Sequence, residues 1–466
     1  MSSADAPTTT ADDRSEVDEL QTRTMRKVAA RLIPVLLLLY VIAYLDRVNV
    51  TFAQDKLQED LGFSSAVYGF GAGIFFIGYF FLEVPSNLAL HRFGARKWMA
   101  RIMITWGVIS ACTMFVQGAA SFYAVRFLLG VAEAGFFPGM ILYLSFWFPA
   151  RERAKAVGFF MSAIAISYAI GAPISGAIMS VFGGVAGLSD WQWLFLIEAI
   201  PAVIAGVFVL FYLDDGPEHA SWLQDDEKRW LARRLESEER VRTRSERLSI
   251  GEALKDRRVL AFGLLYFSMV VNVYGLSFWV GEIVDNIPGL SDVGKGFVTA
   301  IPYTVAIVGL VMISRRSDRT GERKRIVSVC LVAAAVAFVV STVVGPIAAI
   351  AALAVGLFFL LGAHPVFWTM PAALLSGTAA AAGIALINSI GNIGGFVGPY
   401  LVGLVEDATG STDGGLIALA AILLGGSLLA TRVAHDPHLE RAPRDDEARF
   451  TRDTAPAKAR RTQPVG

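Results

Sequence analysis

The sequence predicts an all-α integral membrane protein of about twelve spanning helices in two sets of six. Three observations carry this. Over 466 residues the hydrophobic fraction is 55%, only 18% of residues are charged, and the mean hydropathy is +0.54. That is more apolar than a soluble chain of this length, which must cover its surface with polar groups. Apolar runs of roughly 20 residues, the length needed to cross a bilayer as a helix, recur along the chain. A polar stretch at 214–258 divides these runs into equal sets.

In order, the first set falls at 32–53, 66–90, 98–117, 121–147, 156–180 and 192–213. The second falls at 259–284, 295–314, 326–345, 348–371, 380–405 and 415–433. The expected organisation is a disordered tail at 1–31, a six-helix bundle at 32–213, a linker at 214–258, a second bundle at 259–433 and a disordered tail at 434–466. The first 20 residues are acidic and lack the basic-then-apolar pattern of a signal peptide. Within the linker, Trp222, Leu223, Trp230, Leu231 and Leu235 have helical spacing among charges, which predicts an amphipathic helix on the membrane face.

Charge sets orientation. Lys plus Arg and Asp plus Glu are both 41, a balance that gives no reason to expect a nucleic-acid partner. Their distribution is uneven. Basic clusters at Arg23 to Arg31, Arg92 to Arg101, Arg151 to Lys155 and Arg315 to Arg325 all fall on one side of the predicted bilayer. The positive-inside rule makes that side, and both termini, cytoplasmic. Cys112 and Cys330 each sit in an apolar run and read as small buried hydrophobes, not as a disulfide or metal ligands.

The most unusual stretch is Ala43-Tyr44-Leu45-Asp46-Arg47-Val48-Asn49 in the second half of the first span. Intramembrane charges are costly and usually face a partner or a water-filled path. In the fourth span Arg126 and Glu133 are seven residues apart, nearly two turns, so they share a face about 10 Å apart. Opposite helix directions bring these four residues to one depth range. Two acids and two bases are expected to form a neutral set.

An internal repeat relates the halves. Arg92-Phe93-Gly94-Ala95-Arg96-Lys97 and Arg319-Thr320-Gly321-Glu322-Arg323-Lys324 occupy matching inter-span turns. With Gly309 and Ser317-Asp318, the second turn resembles the loop signature of the major facilitator superfamily. Glu83-Val84-Pro85-Ser86-Asn87, Tyr44-Leu45-Asp46-Arg47-Val48-Asn49 and the block from Arg126 to Gly139 resemble its anion:cation symporter family. Trp191 to Glu198 and Asn388 to Phe396 resemble that family's tartrate, phthalate and hydroxyphenylacetate permease branch. The resemblance covers nearly the whole chain outside the tails.

The resemblance implies a proton-coupled carrier of a small organic anion, working by alternating access and needing no cofactor or metal. Arg47 and Arg126 are expected to bind the substrate carboxylate, which suits arginine's planar fork. Asp46 and Glu133 are expected to carry protons. Tyr79, Asn388, Ser389, Asn392 and Trp368 are further substrate-binding candidates, each with helix packing as the alternative reading. The same ambiguity holds for Phe367, Asn272, Tyr274 and Trp279. Glu83, with Arg92 and Arg96, and Asp318, with Arg319 and Arg323, are gating candidates. Glu198 and Glu282 are expected near the outer, water-accessible ends of their spans, and His364 as a hydrogen-bond partner between helices. Ser162-Ala163-Ile164 departs from the sugar-acid branch by an apolar residue, which points to a less hydroxylated acid. The other partners expected are lipid and, as a monomer, no second subunit. An exchanger or uniporter of the same fold stays open, as does a membrane sensor. A membrane enzyme is not expected, because no nucleophile and base stand together.

Overall fold

A computed structural model describes residues 11–243, 256–285, 287–374 and 377–433, and these are almost wholly helical. The first half comprises α1 (Ala11–Phe52), α2 (Gln54–Leu61), α3 (Ser65–Phe93), α4 (Ala95–Ala111), α5 (Ala119–Glu133), α6 (Phe136–Trp147), α7 (Ala150–Phe182) and α8 (Asp190–Tyr212). Linker helix α9 (Asp225–Thr243) follows. The second half comprises α10 (Arg257–Ser277), α11 (Val280–Asp285), α12 (Asp292–Thr320), α13 (Arg323–Ser341), α14 (Pro346–Leu374), α15 (Gly377–Thr409) and α16 (Asp413–Arg432). Among the described residues, ten stretches are long and apolar enough to cross a membrane, and α7 and α15 bring the spans to about twelve.

The halves meet along two seams, α3 against α15 and α7 against α12. Small residues permit the approach. A side chain at Gly73 would press on the Phe396 backbone, with Cα at 3.0 Å, and one at Gly296 would press on Pro173, with Cα also at 3.0 Å. At the end opposite the basic loops, the N–H groups of Ser65 and Ala66 each donate to Asp407 at 3.0 Å, and Ser65 Oγ donates to Glu406 at 2.9 Å. The acid of one half thus caps the N-terminus of a helix of the other, where the macrodipole favours negative charge.

Three expectations change. The segment 11–31, expected to be disordered, is the first part of the continuous α1. It is held there by Arg23, which pairs with Asp226 at 2.6 Å and Glu227 at 3.0 Å, and by Lys27, which pairs with Glu227 at 2.7 Å. The fourth span is not one helix. Ala134 leaves the helical region and Gly135 adopts φ 83°, so α5 stops at Glu133 and α6 begins at Phe136, after this two-residue break. Pro138, in the first turn of α6, suits a helix start because its missing N–H would be unpaired there. The seventh span likewise stops at Ser277 and resumes as α11. Residues 1–10, 434–466 and most of the linker after α9 lie outside the described residues.

The linker start is anchored to the first half. Trp222 Nε1 donates to Asp214 Oδ2 at 2.9 Å, its ring stacks on Trp147 at 5.5 Å, and the Arg31 guanidinium lies over it at 5.1 Å. Trp230 and Leu231 of α9 are buried, which accounts for the helical spacing of apolar residues in this charged segment.

Candidate functional site

Asp46 and Arg47 are both buried, at 1% and 7% exposure. Consecutive helical residues point about 100° apart, so they meet different partners. Asp46 turns into the first half, where Ser110 Oγ of α4 donates to its Oδ1 and Asn49 Nδ2 lies 3.4 Å from the same oxygen. Arg47 turns to the seam between the halves. Its Nη2 pairs with Glu133 Oε1, and its Nη1 lies 3.4 Å from the Tyr274 hydroxyl of α10.

An aromatic box surrounds this guanidinium. Its centre lies 4.9 Å from the Tyr44 ring, 5.1 Å from Phe75 and 5.5 Å from Tyr79. Such faces stabilise a cation that has left water. The Tyr44 and Tyr274 hydroxyls, from opposite halves, are 3.2 Å apart. Glu133 is the last residue of α5, an end where the macrodipole does not favour an anion, so its charge is balanced by Arg47.

Arg126 is fully buried and donates one hydrogen bond, from Nη2 to the Ala72 carbonyl at 3.3 Å. Its Nε and Nη1 have no acceptor, and Nε of Arg47 has none either. Arg126 does not pair with Glu133 across its own helix, because Glu133 is engaged by Arg47.

On the basic side of this box lies a second buried acid. Glu83 accepts from Asn388 Nδ2 of α15 at 3.0 Å, and Asn392 also interacts with it. Glu83 therefore meets the second half and not Arg92 and Arg96, with which it was grouped. Arg92 is exposed and lies over Phe93, while the Arg96 backbone N–H donates to Asp215 at 2.9 Å. In the matching turn, Arg323 Nη1 pairs with Asp318 at 2.8 Å and donates to Ser317 Oγ at 2.7 Å, and Arg319 is exposed. Gly321 closes α12 at φ 72°.

Among the weaker candidates, Trp368 packs on Tyr266 at 4.8 Å and Phe367 stacks on the same ring at 5.2 Å. Asn392 and Ser389 are half-buried on α15. Asn272 donates to the Ser268 carbonyl of its own helix at 2.8 Å, and Trp279 donates to the Pro399 carbonyl at 3.2 Å. The His364 hydrogen bond stays within its own helix, with Nδ1 2.9 Å from the Leu360 carbonyl one turn back on α14, while its ring meets that of Tyr266 of α10 edge-on at 6.1 Å. Glu198 is not water-accessible at a helix end but 7% exposed, accepting from Ser175 Oγ at 2.6 Å. The Glu282 and Ser162 side chains lie outside what the structure describes, while Ala163 beside Ser162 is fully buried.

Sequence reading missed Ser110 and Ser175, lone serines in apolar runs whose hydroxyls bond the buried acids. It also undercounted the charges. Among the described residues of the spans, Asp46, Glu83, Glu133 and Glu198 are buried acids, and Arg47 and Arg126 the buried arginines. The four residues first grouped keep two acids and two bases, and Glu83 and Glu198 add two further buried acids to the spans.

This architecture is that of a multi-pass helical membrane protein with a buried ionic core. The chain belongs to the major facilitator superfamily, whose family model matches residues 36–399 and 283–465. It is 51% identical over 415 residues to an Agrobacterium vitis protein named "Putative tartrate transporter", covering 88% of this chain and 94% of that one. It is 44% identical over 407 residues to the inner membrane transport protein RhmT of Escherichia coli, covering 87% and 94%. Among solved structures it is similar in fold to a D-xylose-proton symporter, with a TM-score of 0.70, 16% identity and coverage of 88% and 98%.

Proposed function

We propose that the protein is a proton-coupled symporter that takes up a small organic anion across the cytoplasmic membrane by alternating access, with both termini in the cytoplasm. The observation that carries this is the pair of buried arginines with unpaired donors. Nε and Nη1 of Arg126 and Nε of Arg47 have no acceptor. An arginine left with empty donors in a dry site is costly, and a carboxylate relieves that cost with charge-assisted hydrogen bonds.

Charge supports the coupling. Among the described residues of the spans, four acids but only two arginines are buried, and a bound carboxylate adds one more negative charge. A low-dielectric site does not hold such an excess unpaired, and protons are the simplest counter-charge. Asp46 and Glu133 are the acids nearest the arginines and the ones we assign to proton binding. Glu133 then alternates between pairing with Arg47 and releasing it to the substrate. Tyr79, with Trp368, Asn392 and Ser389 from the second half, would line the rest of the cavity. Glu83 with Asn388 would close it towards the basic loops, with the Asp318, Arg319 and Arg323 turn as part of that gate.

The name of the tartrate relatives favours tartrate or a similar small carboxylate; the family resemblance adds phthalate and hydroxyphenylacetate, and the apolar departure within Ser162-Ala163-Ile164 of α7 counts against a sugar acid. The test is uptake into proteoliposomes with an inward proton gradient, across a panel of those acids and aldonic acids. Accumulation of one acid, abolished by a protonophore, supports the reading. Accumulation that needs an internal counter-anion and ignores the proton gradient would make the protein an exchanger.

A further inference from the structure

The Glu198 carboxyl lies outside the arginine-lined site, and the function proposed above does not use it. It projects from α8 eight residues from the helix start, about 12 Å along the axis. Ser175 Oγ of α7 donates to its Oε1 at 2.6 Å, while its Oε2 is buried and has no donor. The charge that acts on it is that of another acid, Asp46. Asn49 joins the two. Its amide stands beside Glu198, and its Nδ2 lies 3.4 Å from Asp46 Oδ1. Asn49 is fully buried, and its Oδ1 also lacks a donor. With Ser110 on the far side of Asp46, four helices (α1, α4, α7 and α8) converge on one polar chain, in which hydrogen bonds join Ser175 to Glu198 and both Asn49 and Ser110 to Asp46, and the Asn49 amide stands beside Glu198.

Two ionised carboxylates joined by one amide, with no cation between them, would leave that chain short of donors. One proton repairs it in either of two ways. On Glu198, the O–H supplies the missing donor while the Asn49 NH2 serves the Asp46 carboxylate. On Asp46, the amide turned over offers its oxygen to the Asp46 O–H and its NH2 to the Glu198 carboxylate. An asparagine amide supports both arrangements, because it has an acceptor at one end and two donors at the other. The other charges acting on this pair reach it through Asp46: Glu133, Arg126 and Arg47. Asp60 of α2 points elsewhere, accepting from Trp191 Nε1 at 2.8 Å and Ser189 Oγ at 2.7 Å.

We propose that Glu198 is a third proton-binding carboxyl of the transport cycle, coupled to Asp46 through the Asn49 amide so that the pair holds one proton between them. The proton comes from water on one side of the membrane, forms an O–H bond on one of the two carboxyls, and returns to water on the other side; no other bond changes. The place of the pair in the cycle rests on the symport reading. The existence of the pair does not.

The test is an infrared pH titration of purified full-length protein in heavy water, following the carbonyl stretch of protonated carboxyls. It needs neither substrate nor gradient. In the wild type, loss of the last proton leaves two negative charges joined through one amide, whereas in Glu198→Gln or Asp46→Asn it leaves one. Each variant should therefore lose that proton at lower pH than the wild type, by about one unit or more. Asn49→Leu should alter the same titration. Counterflow exchange of a transported acid by Glu198→Gln should show its alkaline limb moved the same way. A Glu198→Gln spectrum that loses no carbonyl band and titrates with the wild type would overturn the proposal. So would an unmoved counterflow profile, for the role in the cycle. A coupled titration in a protein that shows no proton-driven uptake would instead sink the symport reading alone.

Discussion

Arg47 of α1 and Glu133, the last residue of α5, form a buried ion pair beside the Tyr274 hydroxyl of the opposite half. Each charge offsets the desolvation cost of the other. The pair stands where the two halves meet, so any motion between them changes its surroundings.

Arginine and lysine are not equivalent here. Arg47 uses its fork to reach Glu133 and Tyr274 at once, and lies among three aromatic rings. A lysine keeps the charge but loses the fork. Arg47→Lys should fold and should lower uptake at least about tenfold, the equivalent of one charge-assisted hydrogen bond of ~1.5–3 kcal/mol. Initial uptake rates, normalised to protein recovered as a single gel-filtration peak, check this.

Arg126 has two donors without acceptors. If they await a carboxylate, Arg126→Gln should raise the KM for the transported acid by tenfold or more, again on the scale of a hydrogen bond to a charged group. Thermal stability should fall little, because a buried charge that lacks a counter-ion of its own is removed. A large loss of Tm with unchanged KM would assign Arg126 to structure.

Gly135 is held at φ 83°, and a side chain there would meet Ser86 of α3. Gly135→Ala should cost about 1–2 kcal/mol from the backbone conformation alone. Gly425→Ala, in a helix with open space around it, should be neutral or raise stability by up to ~1 kcal/mol. Melting curves of the two variants in one detergent compare them directly.

Glu227 ties the linker to α1. Burial acts to raise its carboxyl, but hydrogen bonds from Lys27 and the Gln224 N–H, with Lys27 and Arg23 nearby, hold it below the usual glutamate range. A carboxyl depressed in the folded state contributes its stability above its unfolded value and loses it as pH falls through the lower, folded one. The latch should therefore hold through mild acid and open only below the ordinary glutamate range, near pH 4. Limited proteolysis within 214–243 should be flat from pH 8 to about 4 and rise below that. In Glu227→Gln it should be raised throughout.

Most of the fold was legible because its signals are local. Apolar length gave the spans, and glycine with paired bases gave the turns at Gly94 and Gly321. Disorder at 11–31 was the wrong reading because what orders that segment is distant in sequence: Arg23 and Lys27 lie about 200 residues from Asp226 and Glu227. The break after Glu133 carried a weak local signal in Gly135 and Pro138, but an apolar run continuing through both reads as one helix.

The candidate site was legible residue by residue and not pair by pair. Rare intramembrane charges announce themselves, so Asp46, Arg47, Arg126 and Glu133 stood out. Which acid meets which base is set by how helices rotate against one another, and helical period within one helix says nothing of that. The period grouped Arg126 with Glu133, while packing joins Glu133 to Arg47 and turns Asp46 to Ser110. Glu198 and Glu83 were assigned by depth to an end and a loop, and packing buries both.

Proton coupling by Glu133 through Arg47 is tested by comparing two modes of transport in Glu133→Gln proteoliposomes. Gradient-driven accumulation and counterflow exchange of the same acid are measured side by side. Accumulation should be lost while exchange persists, because the neutral glutamine mimics the protonated acid and cannot cycle. Accumulation equal to the wild type, still sensitive to a protonophore, would contradict it.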